Sequence, residues 1–175
     1  MNVPASVMGA SVGSGETHAE REVWRLLAGV PDPEIPVLSI VDLGIVRYVR
    51  RTADGRLRVG ITPTYTGCPA TAAIRNATRA ALDESGHRDA LLEEVLSPPW
   101  TSDWLTPEGR AKLEAFGIAP PGAAAAALRG DRGPVRCPRC GSLATGCVSE
   151  FGSTPCKAHY VCSDCREPFD HFKCI

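Results

Sequence analysis

The sequence predicts an α+β chain in two parts: a small α/β domain in the order α-β-β-α-β-α, followed by a C-terminal zinc-ribbon-like metal-binding domain. Seven of the eight cysteines fall between Cys137 and Cys174, four of them as the pairs Cys137-Pro-Arg-Cys140 and Cys162-Ser-Asp-Cys165. Upstream, helical and alternating apolar periods succeed one another with turn residues at each junction. At 175 residues the chain can bury one ordinary core and carry a small appended unit. The expected boundaries are a disordered tail over 1–16, the α/β domain over 17–117, a linker over 118–135 and the ribbon over 136–175.

Thr17 with Glu20 three residues later is a capping-box signature, and Val23, Leu26 and Leu27 at helical spacing place the first helix over about 19–28. Pro31, Pro33 and Pro36 then exclude helix and make PDPEIPVLSI a fixed irregular loop with Asp32-Pro33-Glu34 at its tip. Two β-type runs, 45–52 and 56–62, flank Asp54-Gly55, a hairpin signal; Leu57, Val59 and Ile61 form the buried face and Gly60 falls on the wet one. A second helix starts near Pro69, with Ala70, Ala73, Ile74, Ala77, Ala80 and Ala81 as a small-residue face for close packing. A third strand covers 90–96. Thr106, Pro107 and Gly117 frame a short third helix, and the Pro, Gly and Ala content of IAPPGAAAAALRGDRGPV fits a linker.

The formal charge of -1 asks for neither nucleic acid nor an anionic membrane as partner. From Asp131 onward six Lys and Arg face five Asp and Glu with no basic stripe, which also weakens nucleic-acid binding by the ribbon. The first fifteen residues hold no Lys or Arg and no long apolar run, so the expectation is a cytoplasmic protein without signal peptide or membrane helix. In a reducing cytosol, CxxC pairs favour metal over disulfide.

Cys137, Cys140, Cys162 and Cys165 are therefore expected to hold one metal ion per chain, zinc before an iron–sulfur cluster, because two CxxC turns complete a tetrahedral thiolate site. The spacer from Gly141 to Val161 slightly exceeds the roughly 15–20 residues usual for this pattern. Cys156, Cys174 and His171 supply more soft ligands than one zinc needs. They are either buried small side chains near the site or ligands of a second metal or cluster. Cys147 has no partner in the spacing. Cys68 reads as the N-cap of the second helix, where the helix dipole and free backbone N–H groups favour a thiolate suited to a metal ligand or nucleophile; an inert buried cysteine is the other reading. A His-assisted thiol hydrolase fits poorly, with His18 in the first helix and His87 in a polar turn.

DPEIPVLSIVDLGIV with TPTYTGCPA resembles the domain of SufT-like iron–sulfur assembly factors. The addition of PPWTSDWLTPEGRAKLEAFGIAPP, CPRCGS, SEFGSTPCKAHYVC and EPFDHFKCI resembles the family of D subunits of the phenylacetyl-CoA epoxidase system, PaaD or PaaJ. This resemblance implies an accessory subunit in aerobic phenylacetate breakdown, one that is not the oxygenase and that helps assemble or repair a metal centre or iron–sulfur cluster of the oxygenase or its reductase. It implies the other epoxidase subunits as partners, a transient iron or iron–sulfur cluster beside the zinc, and Asp32, Glu34 and Cys68 as acidic loop and functional thiol. A homo-oligomer stays open. A di-iron carboxylate centre needs paired Glu and Glu-x-x-His ligands on bundled helices, and no such motif occurs. Glu34 beside a Cys68 thiolate makes better sense as a metal site than as a nucleophile, since the two anions repel unless a cation lies between them. The rival reading is a structural subunit in which zinc stabilises an interaction domain.

Overall fold

A computed structural model describes residues 17–122 and 133–173. The first helix, α1 (His18–Leu27), starts on the expected capping box: Thr17 Oγ1 accepts from the Glu20 backbone N–H, and the Glu20 carboxylate accepts from the Thr17 N–H. The second Glu20 oxygen accepts from the Arg51 N–H, so one side chain both starts α1 and pins the end of β1 (Val46–Arg51). β1 pairs antiparallel with β2 (Leu57–Ile61) through a turn at Gly55, which sits at φ 82. Gly60 is buried, not wet. The Tyr48 ring lies against it so closely that a Cβ there would come within 2.4 Å of a ring carbon.

The helix α2 (Ala70–Glu84) crosses over to β3 (Leu91–Glu94), which pairs parallel with β2. Its buried residues are Ala70, Ile74, Thr78 and Leu82, a stripe of every fourth residue, while Ala73, Ala77 and Ala80 are exposed. The expected small-residue face is thus replaced by a narrower one, in which the Thr78 hydroxyl satisfies itself on the Ile74 carbonyl at 2.7 Å. A short 3-10 turn (Ser102–Trp104) leads into α3 (Pro107–Phe116), capped by Thr106 and closed by Gly117 at φ 91.

The proline-rich loop is a core element. Ile35, Leu38, Ile40, Leu43 and Ile45 are all essentially inaccessible, in one cluster with Val23 and Leu27 of α1 and Val59 of β2. Trp100 closes this cluster by donating its indole N–H to the Leu43 carbonyl at 2.8 Å.

The ribbon consists of β5 (Thr145–Ser149), β6 (Lys157–Cys162) and β7 (Pro168–Phe172), joined antiparallel. A fourth strand comes from outside it. Ile118 and Ala119, two residues whose composition suggested linker, form β4 and pair parallel with Asp170 and His171 of β7. Phe172 sets its ring edge-on to Trp100 with centroids 6.3 Å apart, and Cys156 and Phe172 belong to the same buried cluster as the first-domain core. The ribbon is docked on the α/β domain by a shared strand and shared apolar contacts. No helix among the described residues is long and apolar enough to cross a membrane.

Candidate metal centres

The ribbon thiols converge on two short turns. A backbone turn from Cys137 to Gly141, closed by the Gly141 N–H on the Cys137 carbonyl at 2.9 Å, carries the first pair. The second pair stands where β6 ends, in a turn closed by the Arg166 N–H on the Cys162 carbonyl at 3.0 Å. Each turn passes through the left-handed region directly after its second cysteine, at Gly141 (φ 77) and at Arg166 (φ 64). All four sulfurs lie within 4.8 Å of one another, with Cys137 to Cys165 at 3.8 Å and Cys140 to Cys162 at 3.6 Å. Tetrahedral zinc with bonds of about 2.3 Å requires sulfur separations of about 3.8 Å, so the donor set fits that ion. The Cys165 and Asp164 backbone N–H groups help hold the Cys162 thiol down to about 7. At Cys165 the Glu167 N–H favours the anion, yet burial and the neighbouring sulfurs push the thiol up to about 12. Four thiolates this close can all ionise only around a cation.

A second locus lies between the domains. Cys68 stands one residue before the cap of α2: Pro69 is the N-cap, no side chain caps the helix, and Cys68 contributes its carbonyl to the Thr71 N–H at 3.2 Å. The thiol is therefore free of the capping role expected for it. It is half-buried at the wall of a partly open cavity of about 30 Å³ whose lining also includes Glu34, Ile74, Cys156 and Phe172. That is room for about two waters or a metal ion, far below the space a small-molecule pocket needs.

The two acids of the loop have different work. Asp32 is buried and its Oδ1 accepts from the backbone N–H groups of Glu34 at 2.9 Å and Ile35 at 2.8 Å, building the turn. Burial raises its pKa against the pull of those donors. Glu34 projects toward the ribbon, with Oε2 3.8 Å from the Cys156 sulfur. The Cys156 thiol is pushed up, first by burial and further by the Glu34 charge, while its contact with Thr154 opposes the shift. Tyr65, which carries no signal in the sequence, adds a hydroxyl that is shielded from solvent and stands beside the Cys68 thiol. Burial above all, then the Cys68 thiol, pushes this phenol up to about 12, so it stays protonated. Nothing in TYTGC marks Tyr65 beforehand, because its role depends on a ribbon segment some ninety residues away.

The family described as PaaD zinc beta ribbon domain matches residues 121–173, and the family described as iron-sulfur cluster assembly protein matches residues 20–89. A protein of Escherichia coli strain K12, named as the D subunit of 1,2-phenylacetyl-CoA epoxidase, is 48% identical over 167 residues, covering 95% of this chain and 98% of that one. The chain belongs to the PaaD family. Its α/β part is also similar to a group of shorter proteins, the Fe-S protein maturation auxiliary factors. The one from Porphyromonas gingivalis strain W83 is 33% identical over 55% of this chain and 91% of its own length. SufT from Staphylococcus aureus strain USA300 is 36% identical over 44% of this chain and 88% of its own length.

Within this PaaD chain the remaining candidates separate by position. His171 is drawn away from both loci: its Nδ1–H donates to the Ala119 carbonyl at 3.2 Å across the β4–β7 pair, and burial lowers its pKa. Cys147 is exposed on β5. Cys174 lies outside the described residues.

Proposed function

We propose that the chain is an accessory subunit of the phenylacetyl-CoA 1,2-epoxidase system in aerobic phenylacetate catabolism, without catalytic activity of its own. It assists assembly or maintenance of a metal centre or iron–sulfur cluster in the oxygenase or its reductase, with the other epoxidase subunits as partners in the cytoplasm. The observation that carries this reading is the ion-sized cavity that Cys68 and Glu34 both line. A thiol and a carboxylate suit a borderline cation such as ferrous iron, and an incomplete ligand set lets the metal leave again. The four-cysteine site is the opposite case. Closed tetrahedral thiolate sites are structural, so zinc there holds the ribbon in shape. Epoxidation of the ring calls for a di-iron carboxylate set, whereas the one group of three or more potential ligands that converges among the described residues consists of thiols.

The rival reading, a structural interaction subunit stabilised by zinc, draws on the docking of the ribbon into the first-domain core through Cys156 and Phe172. Co-expressing the epoxidase subunits with wild-type, Cys68→Ser or Glu34→Ala chain and measuring iron in the purified complex separates the two. Delivery predicts severalfold less iron with Cys68→Ser at unchanged zinc in the chain. Full iron loading with both variants would favour the structural role instead.

A further inference from the structure

We propose that the ribbon completes the metal-handling site of the α/β domain: Cys156 joins Cys68 and Glu34 in a two-thiol, one-carboxylate site for a borderline divalent cation of the ferrous type, formed only while the ribbon is docked. This rests on the reading of Cys68 as a metal-handling residue and adds a ligand from the other domain.

Cys156 is set in place by the backbone, its carbonyl accepting from the Lys173 N–H at 2.9 Å and the following Lys157 N–H donating to Thr154. It is only 6% exposed and belongs to the buried cluster of the first domain rather than to the small cluster around Cys137 and Cys162. A buried cysteine is most often a small apolar filler. Here, however, a carboxylate from the opposite domain faces the sulfur at 3.8 Å, and both line the cavity that Cys68 lines. The third observation is the Tyr65 hydroxyl, shielded from solvent and beside the Cys68 thiol, on which Cys156 and Glu34 also act electrostatically. A phenol O–H beside this thiol is placed to donate to the sulfur, and it would steady a metal-bound thiolate in the same way.

The set is open. Among the described residues, the ribbon's four thiols are the group whose ligand atoms all fall within 4.8 Å. Binding a cation must therefore draw the groups together, and each thiol that ligates gives up its proton to water. The closure falls to side-chain rotation, because the Cys68 backbone is itself fixed, its N–H on the Tyr65 carbonyl and its carbonyl under the Thr71 N–H, both at 3.2 Å. Cys68 also lines an adjoining open groove, shared with Tyr65, Leu96 and Trp100. It thus stands where the cavity proposed to hold a cation adjoins a surface that a recipient can reach.

The test uses zinc-loaded, full-length chain under anaerobic conditions, titrated with Co²⁺ as the spectroscopic stand-in for Fe²⁺, reading sulfur-to-cobalt charge-transfer absorption while zinc content is followed. Wild type is expected to take a further cation on two thiolates. Cys156→Ser and Cys68→Ser should each halve the charge-transfer intensity per cobalt and weaken binding roughly tenfold or more. Cys147→Ser, the exposed β5 thiol, should change neither. Cobalt-edge X-ray absorption on the wild-type chain counts its sulfur neighbours without any substitution, and two are expected. One sulfur at that edge, or unchanged binding by a folded Cys156→Ser chain alongside loss in Cys68→Ser, overturns the role of Cys156 and leaves the Cys68 reading standing. No further cation in wild type, or none affected by Cys68→Ser, overturns both.

Discussion

Asp32 and Glu34 sit two positions apart in one motif and do unlike things. Asp32 satisfies two backbone donors in a buried turn, so Asp32→Ala should destabilise the chain by about 1–3 kcal/mol, read from denaturant unfolding. Glu34→Ala, which removes no backbone acceptor, should stay within about 1 kcal/mol of wild type and show its effect in metal binding instead. Equal destabilisation by the two variants would contradict this division. The capping role of Asp32 was available from the sequence as ordinary turn chemistry. The Glu34–Cys156 approach was not, because the two residues are 122 positions apart and no local pattern couples them. Cys68 illustrates a smaller miss: Cys-Pro before a helix suggested a capping thiol, but proline itself takes the cap position and leaves the sulfur to the cavity.

At the scale of elements, helix ends were legible because their signals are local. Thr17 with Glu20 and Thr106 with Pro107 and Gly117 all act as the sequence suggests. What the sequence hid was the proline-rich loop as a core element and β4 as a strand. The loop lacks a regular period, and β4 is two residues in a stretch whose composition reads as linker. Gly44 gives that loop its geometry, with φ 66 and with the Trp104 carbonyl oxygen only 2.6 Å from where a Cβ would sit. Gly44→Ala should therefore cost roughly 2 kcal/mol or more, from backbone strain plus displacement of the segment that leads into α3. A melting temperature within a degree or two of wild type would show that the loop and Trp104 are not coupled as described.

At the scale of the molecule, the docked ribbon makes one pH dependence. His171 is half-buried against Ala119, with a pKa lowered from its ordinary 6.5 chiefly by burial. The unfolded chain therefore binds the proton more readily than the folded one, and stability contributed by the neutral ring is lost as pH falls below about 6.5 toward the folded value. His171→Phe should flatten the stability profile between neutral pH and that value, while an unchanged slope would place His171 outside the docking contact. The metal-handling claim is met most directly by the alkylation rate of Cys68, resolved by peptide mass spectrometry on zinc-loaded full-length chain with and without ferrous iron under anaerobic conditions. Ferrous iron should slow alkylation of Cys68 severalfold and leave the exposed Cys147 unaffected. The same Cys68 rate with and without iron would contradict the account.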